Sequence, residues 1–163
     1  MIRSRFLNAL CLSLALSSPL LAQEASIDVG LLTLAAQEGD SDQQLDLEAL
    51  KAMPVTEFET STVWTDGVRR FTGVSLADLL AGQDIDDKVI YATARDGYEV
   101  EIPTSDAVPE GPIVAYEIDG EPLAEDEMGP YWIIYPYDSD PAYRGEQIEA
   151  RSIWQLARLT LGD

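Results

Sequence analysis

The sequence predicts a strand-rich, mixed α+β domain with two or three short helices. Apolar and β-branched runs of four to eight residues recur along the chain, Asp-Gly turns separate several of them, and few segments show helical spacing. The 163 residues are 46% hydrophobic, which suits one core of ordinary domain size. We find no repeat, linker or low-complexity segment in the sequence, so a single domain over residues 23–163 is expected.

The first 22 residues have the features of a secretory signal peptide. Arg3 and Arg5 precede the apolar run Phe6–Leu16, which is shorter than the roughly 20 residues of a membrane-spanning helix. Cleavage is expected between Ala22 and Gln23. The mature chain is therefore predicted to be periplasmic or secreted, with no membrane insertion after cleavage.

The N-terminal part of the mature chain predicts strands, one hairpin and two helices. Strands are predicted at Leu31–Ala36, Val55–Trp64 and Val68–Thr72. Asp66 and Gly67 supply a hairpin turn between the last two strands, and a polar loop is expected over residues 37–44. Leu45–Met53 has nearly helical spacing and ends at Pro54.

The best-signalled helix is Ser75–Ala81. Ser75 is a cap residue with Asp78 three positions later, Gly82 ends the helix, and leucines give it an apolar face. Further along, strands are predicted at Lys88–Ala94, Tyr98–Ile102, Ile113–Ile118, Glu121–Leu123, Tyr131–Tyr137 and within the tail Ile148–Leu161. A helical turn over Pro103–Val108 and a polar loop over Asp138–Gly145 complete the order of elements.

The mature chain contains neither cysteine nor histidine. Cys11, the single cysteine, lies in the leader, and the whole sequence has no histidine. This excludes thiolate nucleophiles, disulfides, thiolate or imidazole metal ligands and an imidazole base in the mature protein. The two lysines, Lys51 and Lys88, stand in no Ser-x-x-Lys arrangement, so acyl transfer by an activated serine is not expected either.

The charge of the chain is strongly negative. The formal charge is −20, and loss of two leader arginines with no acid makes it −22. Nucleic acid is excluded as a partner because phosphate binding needs a basic face. The acids either keep the protein soluble or attract cations and metal ions. The clusters at Asp84–Asp87 and Asp138–Asp140 lack the glycine and glutamate of a calcium loop.

Seven phrases occur in a fixed order: LDLEALKAMP, FETSTVW, RRFTGVSLADLL, ARDGYEVEIP, IVAYEIDGEPL, GPYWIIYP and RSIWQL. Over Leu45–Leu161 the sequence thereby resembles the molybdopterin-binding domain of the sulfite oxidase type, in a small exported bacterial form. The resemblance implies a pterin pocket formed by loops of a mixed α+β domain and molybdopterin as a possible cofactor. It also implies one cysteine ligand to molybdenum, about ten residues before Phe71–Leu76.

This sequence departs from the family pattern at three places. Thr60, Ser61 and Thr62 occupy the neighbourhood of the expected cysteine. Tyr131 and Trp132 follow the Gly-Pro pair, where the family commonly has an arginine that holds the cofactor phosphate. Tyr143–Glu146 stands where a glycine, an aromatic residue and a lysine help to enclose the pterin. We therefore expect no bound cofactor and no catalytic residue.

Ten residues are candidate ligand contacts: the resemblance places seven at the border of the family's pocket, Ser61 lies in the neighbourhood of the expected cysteine, and Arg69 and Arg70 are adjacent cations in a chain with few basic residues. They are Ser61, Trp64, Arg69, Arg70, Asp96, Tyr98, Trp132, Tyr135, Tyr137 and Arg144. Aromatic rings with one or two arginines suit a flat or anionic small molecule. Arg69 and Arg70 should point to opposite faces of a strand, so at most one of them lines a given pocket, and surface pairing with local acids is their alternative role. Trp132 and Trp154 have an alternative interpretation as core residues.

The leading hypothesis is an exported, non-catalytic module that binds a small molecule or serves a membrane sensor or oxidoreductase partner. A molybdopterin-dependent oxidoreductase is the first alternative. An acidic metal-ion-binding protein is the second.

Overall fold

The computed structural model describes residues 30–35 and 41–162, and within them the chain forms two five-stranded sheets with three short helices. The strands are β1 (Leu32–Ala35), β2 (Gln43–Leu45), β3 (Thr56–Ser61), β4 (Val68–Ser75), β5 (Val89–Ala94), β6 (Glu99–Pro103), β7 (Ile113–Ile118), β8 (Glu121–Pro122), β9 (Trp132–Ile134) and β10 (Leu156–Gly162). The helices are α1 (Leu47–Lys51), α2 (Leu76–Leu79) and α3 (Glu146–Arg151), and 3₁₀ turns lie at Thr104–Asp106 and Pro141–Tyr143. The predicted strand-rich α+β class is confirmed.

The first sheet is organised around the last strand of the chain. Its order is β2-β1-β10-β5-β6, with β10 parallel to β1 and antiparallel to β5. The pairing Thr33↔Arg158 joins the two ends of the domain. A register irregularity between Leu156 and Arg158 marks the place where β10 enters the sheet.

The second sheet has the order β3-β4-β7-β8, and β9 also pairs with β7. The predicted hairpin between β3 and β4 pairs Ser61 with Val68 at its end. The register between β4 and β7 shifts between Thr72 and Gly73. At Gly73 the two backbones approach so closely that a Cβ would lie 2.1 Å from the Val114 carbonyl oxygen.

The hydrophobic core is divided by the second sheet. Alternating residues of β7 point to opposite faces, so Val114 and Tyr116 join the larger cluster, which contains residues of both sheets. Ile113 and Ala115 join a smaller cluster with Trp132 on the other face. This arrangement explains why β7 and β9 have nearly continuous apolar sequences.

The capped helix predicted from Ser75 is confirmed. The Ser75 Oγ accepts a hydrogen bond from the Asp78 backbone N–H at 3.0 Å and donates one to the Asp78 carboxylate at 2.6 Å. The Asp46 carboxylate similarly accepts from the Ala49 N–H at 2.8 Å at the start of α1, which is shorter than the predicted Leu45–Met53.

Three predicted elements need correction. The loop predicted over residues 37–44 includes the start of β2, which forms because Gln43–Leu45 pairs with the edge of β1. The tail Ile148–Leu161 is not one strand: α3 ends within it before β10 begins. The polar loop Asp138–Gly145 contains a 3₁₀ turn, at which the Asp140 carboxylate accepts from the Ala142 N–H at 2.7 Å.

The predicted signal peptide, residues 1–22, lies outside the described residues. None of the helices in the described ranges has the length and apolar character needed to cross a membrane.

Candidate ligand-binding site

Two neighbouring clefts share the side chain of Glu149. We call the larger one, of about 490 Å³, the aromatic cleft. It is lined by Trp64, Ala94, Asp96, Tyr98, Glu146, Glu149, Ala150, Ser152, Ile153, Trp154 and Gln155. We call the smaller one, of about 320 Å³, the polar cleft; it is lined by Ser61, Thr62, Val63, Tyr137, Asp138, Arg144, Gly145 and Glu149. Both volumes fall within the usual range for small-molecule sites.

Four segments meet at the aromatic cleft. Trp64 lies in the loop between β3 and β4, and Tyr98 follows the turn between β5 and β6. In that turn the Asp96 carboxylate accepts a hydrogen bond from the Tyr98 N–H at 2.9 Å, and Gly97 adopts a positive φ of 87°. Helix α3 contributes Glu149, and the segment between α3 and β10 contributes Trp154.

Trp64 connects the cleft to the core. Its ring packs edge to face against Trp132, with centroids 5.7 Å apart, and against Trp154, with centroids 5.9 Å apart. Trp132 is fully buried, whereas Trp154 is 42% exposed. The interpretation of Trp154 as a core residue is therefore wrong: the ring lies at the cleft wall because the turn after α3 directs it outward.

The backbone beside Trp154 is held in an uncommon conformation. Gln155 has a φ of 50°, in the left-handed region that a non-glycine residue adopts only at a cost. The Gln155 backbone carbonyl accepts a hydrogen bond from the Arg95 N–H at 2.9 Å, and its backbone N–H donates to the Met128 carbonyl at 3.1 Å. The side-chain amide of Gln155 donates to the Glu127 carbonyl at 2.8 Å. These contacts fix the segment that positions the Trp154 ring.

The polar cleft is built around Asp138. The Asp138 carboxylate accepts hydrogen bonds from the Ser61 N–H at 2.6 Å and the Ser61 Oγ at 2.8 Å. The Asp138 N–H donates to the Thr60 Oγ1 at 3.0 Å, and Arg144 lies 3.3 Å from the carboxylate. The Ser61 N–H, assisted by its hydroxyl and by Arg144, lowers the pKa of Asp138 below its usual value. Asp138 is therefore a carboxylate at neutral pH.

Thr62 completes the hydrogen bonding of this segment. Its Oγ1 accepts from the Trp64 N–H at 3.1 Å and from the Thr65 N–H at 3.0 Å. Thr62 thereby shapes the loop that presents Trp64 to the aromatic cleft. All three residues at the expected cysteine neighbourhood thus have structural hydrogen bonds.

The clefts carry mainly negative charge. Three carboxylates line the aromatic cleft, those of Asp96, Glu146 and Glu149, and no lysine or arginine does. Arg144 is the cation among the polar-cleft residues, and it pairs with Asp138. A molybdopterin cofactor needs cationic donors for its phosphate and, in this family, a thiolate for its metal. The donor set of these clefts does not fit that group.

Buried tyrosines lie beneath the clefts. The hydroxyls of Tyr137 and Ser152 are hydrogen bonded to each other. The Tyr135 hydroxyl donates to the Asp106 carboxylate at 2.7 Å, and Arg151 of α3 also donates to that carboxylate at 2.8 Å. This network connects the helix that carries Glu149 to the body of the domain.

We expect the stability of the protein to fall above pH 10. Burial raises the pKa of Tyr131 and of Tyr137 to about 12, and it also raises the pKa of Tyr135, which donates to the Asp106 carboxylate. The folded state therefore keeps protons that the unfolded chain releases near pH 10, so stability is complete below that pH and falls as the pH rises towards 12. Tyr137→Phe should reduce the slope by about 1.4 kcal/mol per pH unit in this window. Urea unfolding from pH 9 to 12 measures the slope, and an unchanged slope would contradict the assignment.

The structure separates the ten predicted site residues into three groups. Trp64, Asp96 and Tyr98 line the aromatic cleft, and Ser61, Tyr137 and Arg144 line the polar cleft. Trp132 and Tyr135 are fully buried and line neither cleft, which corrects their placement. Trp132 lies in β9 and packs in the smaller apolar cluster, and Tyr135, which follows β9, packs in the larger one.

Arg69 and Arg70 also line neither cleft. The Arg69 guanidinium pairs with Asp119 at 2.5 Å, and that of Arg70 lies 3.8 Å from the Glu57 carboxylate. Both lie on β4 away from the two clefts, where they take the alternative role expected from the sequence and pair with local acids at the surface.

Sequence reasoning missed Trp154, Glu146 and Glu149. The phrase RSIWQL contains Trp154, but nothing local distinguishes a cleft tryptophan from a core one. The two glutamates face the cleft because α3 forms, and that helix was not predicted. No group of three histidine, cysteine or acidic residues is placed to hold a metal within residues 30–35 and 41–162.

Comparisons with known proteins agree on the fold. The family model described as oxidoreductase molybdopterin binding domain matches residues 32–137. The crystal structure of the sulfane dehydrogenase SoxCD from Paracoccus pantotrophus superposes with a TM-score of 0.60 at 17% identity, over 85% of this chain. The chain spans 39% of the length of that protein chain, and the low identity shows the fold alone. No curated protein matches the sequence.

Proposed function

We propose, since the chain belongs to the family of oxidoreductase molybdopterin-binding domains, that it uses this scaffold as an exported binding or accessory module without molybdenum catalysis. The family membership accounts for the fold. The residues that line the clefts support a binding role in place of molybdenum catalysis.

One observation carries the proposal: the side chains at the expected metal-ligand neighbourhood have structural roles. Thr60 and Ser61 hydrogen bond to Asp138, and Thr62 accepts from two backbone N–H groups of the following loop. A hydroxyl is a poor substitute for the soft thiolate that molybdenum takes in this family. The mature sequence has no cysteine at any other position that could replace it.

The charge of the clefts supports the same conclusion. A buried phosphate dianion needs cationic hydrogen-bond donors, because an unpaired anion is strongly disfavoured away from water. Three cleft carboxylates would repel the phosphate, and Arg144 already pairs with Asp138. The proposed ligand is therefore a small molecule other than a phosphorylated pterin.

The proposed location is the periplasm or the exterior of the cell, on the basis of the leader at residues 1–22. There the domain would serve a membrane sensor or an oxidoreductase partner, and its ligand state would be the signal that the partner detects. The strongly negative charge favours a partner with a basic docking surface.

The cofactor content of the purified protein tests the proposal. The full chain is expressed in a host that makes molybdenum cofactor, and the processed protein is purified without chelators. Mass spectrometry of the metal and fluorescence of the oxidised pterin are expected to show molybdenum and pterin far below one per chain. The physical reason is the absence of both the thiolate and the cationic phosphate contacts.

A molybdenum enzyme produced in the same host and purified in parallel is the control for cofactor supply. Stoichiometric molybdenum together with pterin in this protein would overturn the proposal. It would establish instead the alternative of a molybdopterin-dependent oxidoreductase.

A further inference from the structure

We propose that the aromatic cleft binds a small organic cation, such as a quaternary ammonium or protonated amine with an apolar body. This inference rests on the proposed function and names the ligand class of the same site. The sequence suggested a flat or anionic ligand, whereas the residues at the cleft favour a cationic one. The expected charge of the ligand changes because aromatic rings and carboxylates, and no lysine or arginine, line the cleft.

The walls of the cleft have the chemistry of a cation cage. The rings of Trp64 and Trp154 form an angle of 74°, and together they provide a corner of two aromatic surfaces. Tyr98, whose side chain is exposed, provides a third ring at the same cleft. The faces of tryptophan and tyrosine rings attract cations through the ring quadrupole, and tryptophan does so most strongly.

The charges around these rings select the same ligand class. Asp96, Glu146 and Glu149 line the cleft, and none of the three forms an ion pair within the part of the chain that the structure describes. The nearby arginines form ion pairs with other acids: Arg151 pairs with Asp106, and Arg144 pairs with Asp138. A bound cation would therefore meet carboxylates without displacing a cationic side chain from any of them.

The size and the ordered walls of the cleft suit a bound ligand. Its volume of about 490 Å³ exceeds that of a few waters, and its two tryptophan rings pack against each other. Trp64 is supported by the buried Trp132, and the backbone at Gln155 is fixed by three hydrogen bonds. Rings that are already ordered lose little conformational entropy when a ligand binds.

A series of three ligands with one aromatic body tests the inference. Benzyltrimethylammonium, benzyl alcohol and benzenesulfonate carry a positive, a neutral and a negative group. By isothermal titration calorimetry of the processed protein, the cation is expected to bind with a Kd below about 1 mM, and the other two at least about tenfold more weakly. Equal or tighter binding of the alcohol or the sulfonate would overturn the inference, as would no binding of the cation.

Two variants place the binding in this cleft. Trp154→Ala should weaken cation binding about five- to tenfold, with partial recovery in Trp154→Phe. Glu149→Gln should weaken cation binding about two- to fivefold. Glu59→Gln makes the same charge change at an exposed position of β3 and should leave cation binding unchanged. Tyr98→Ala, at an exposed side chain, provides a second ring deletion if Trp154→Ala does not fold. Unchanged affinity in the folded ring and Glu149 variants would overturn the site assignment.

The two proposals can fail separately. Stoichiometric molybdenum and pterin would remove the proposed function and this inference together. A protein free of molybdenum and pterin that does not bind benzyltrimethylammonium would remove only the inference about the ligand.

Discussion

Replacing Trp132 with alanine is expected to destabilise the domain by about 3–5 kcal/mol and to abolish binding at the aromatic cleft. The Trp132 ring is fully buried, packs against Phe71 at 5.8 Å and Trp64 at 5.7 Å, and donates from its Nε1 to the Ser152 carbonyl at 3.2 Å. Its removal leaves a cavity directly under Trp64 and an unsatisfied carbonyl next to the cleft. Urea unfolding followed by circular dichroism measures the loss.

Trp154→Ala is the matched control because it deletes a second tryptophan side chain that also packs against Trp64. Trp154 is 42% exposed, so its loss should cost less than that of Trp132, about 1–3 kcal/mol, while still weakening cation binding. The pair therefore separates support of the site from contact with the ligand. If Trp132→Ala were as stable as the wild type, the packing between Trp132 and Trp64 would be refuted.

Gly73→Ala is expected to cost about 3 kcal/mol or more of unfolding free energy. A Cβ at this position would lie 2.1 Å from the Val114 carbonyl oxygen and 2.7 Å from the Ala115 Cα. Both atoms belong to the backbone of β7, which is paired on its other side with β9, so neither can move without disrupting the second sheet. The shift in Tm and the urea midpoint measure the effect.

Gly67→Asn is the control for replacement of a glycine without steric overlap. Gly67 has a positive φ of 68° in the β3–β4 hairpin, and no atom lies within 4 Å of a Cβ built there. Asparagine tolerates this conformation, so the cost should stay within about 1 kcal/mol. Equal stability of Gly73→Ala and Gly67→Asn would show that β4 and β7 are not as close as the structure places them.

Elements whose signals are local were predictable from the sequence. Ser75 and Asp78 form a cap whose partners lie three residues apart, and the hairpin predicted at Asp66-Gly67 forms between adjacent strands, although its loop covers residues 62–67. The strand Ile113–Ile118 was predicted with the bounds that the structure gives. The cap and the hairpin are defined by hydrogen bonds between residues that are close in sequence, whereas Ile113–Ile118 is marked by its apolar and β-branched run and pairs with the more distant β4 and β9.

Helix α3 was not predictable in the same way. It has six residues, follows Gly145 at a φ of 133°, and has no side-chain cap. Arg151 near its end pairs with Asp106, which is 45 residues away in sequence. Short helices depend on tertiary packing, so the sequence pattern alone favoured a strand here.

The sequence by itself determined which metal-binding side chains are absent. The sequence has no histidine and its single cysteine is Cys11, so residues 12–163 offer no thiolate or imidazole to bind a metal, whatever their fold. Hydrophobic periodicity and turn residues likewise determined most strands, because each depends on residues that are close in the chain.

Only the tertiary structure decided which side chains form the site. It buried Trp132, exposed Trp154 at the cleft, and brought Glu149 beside Trp64, 85 positions earlier in the chain. It also placed Arg69 and Arg70 away from the clefts, which left the site with carboxylates and aromatic rings. The physical reason is that burial and charge at a cleft depend on contacts between distant segments, and these contacts leave no periodic signal in the sequence.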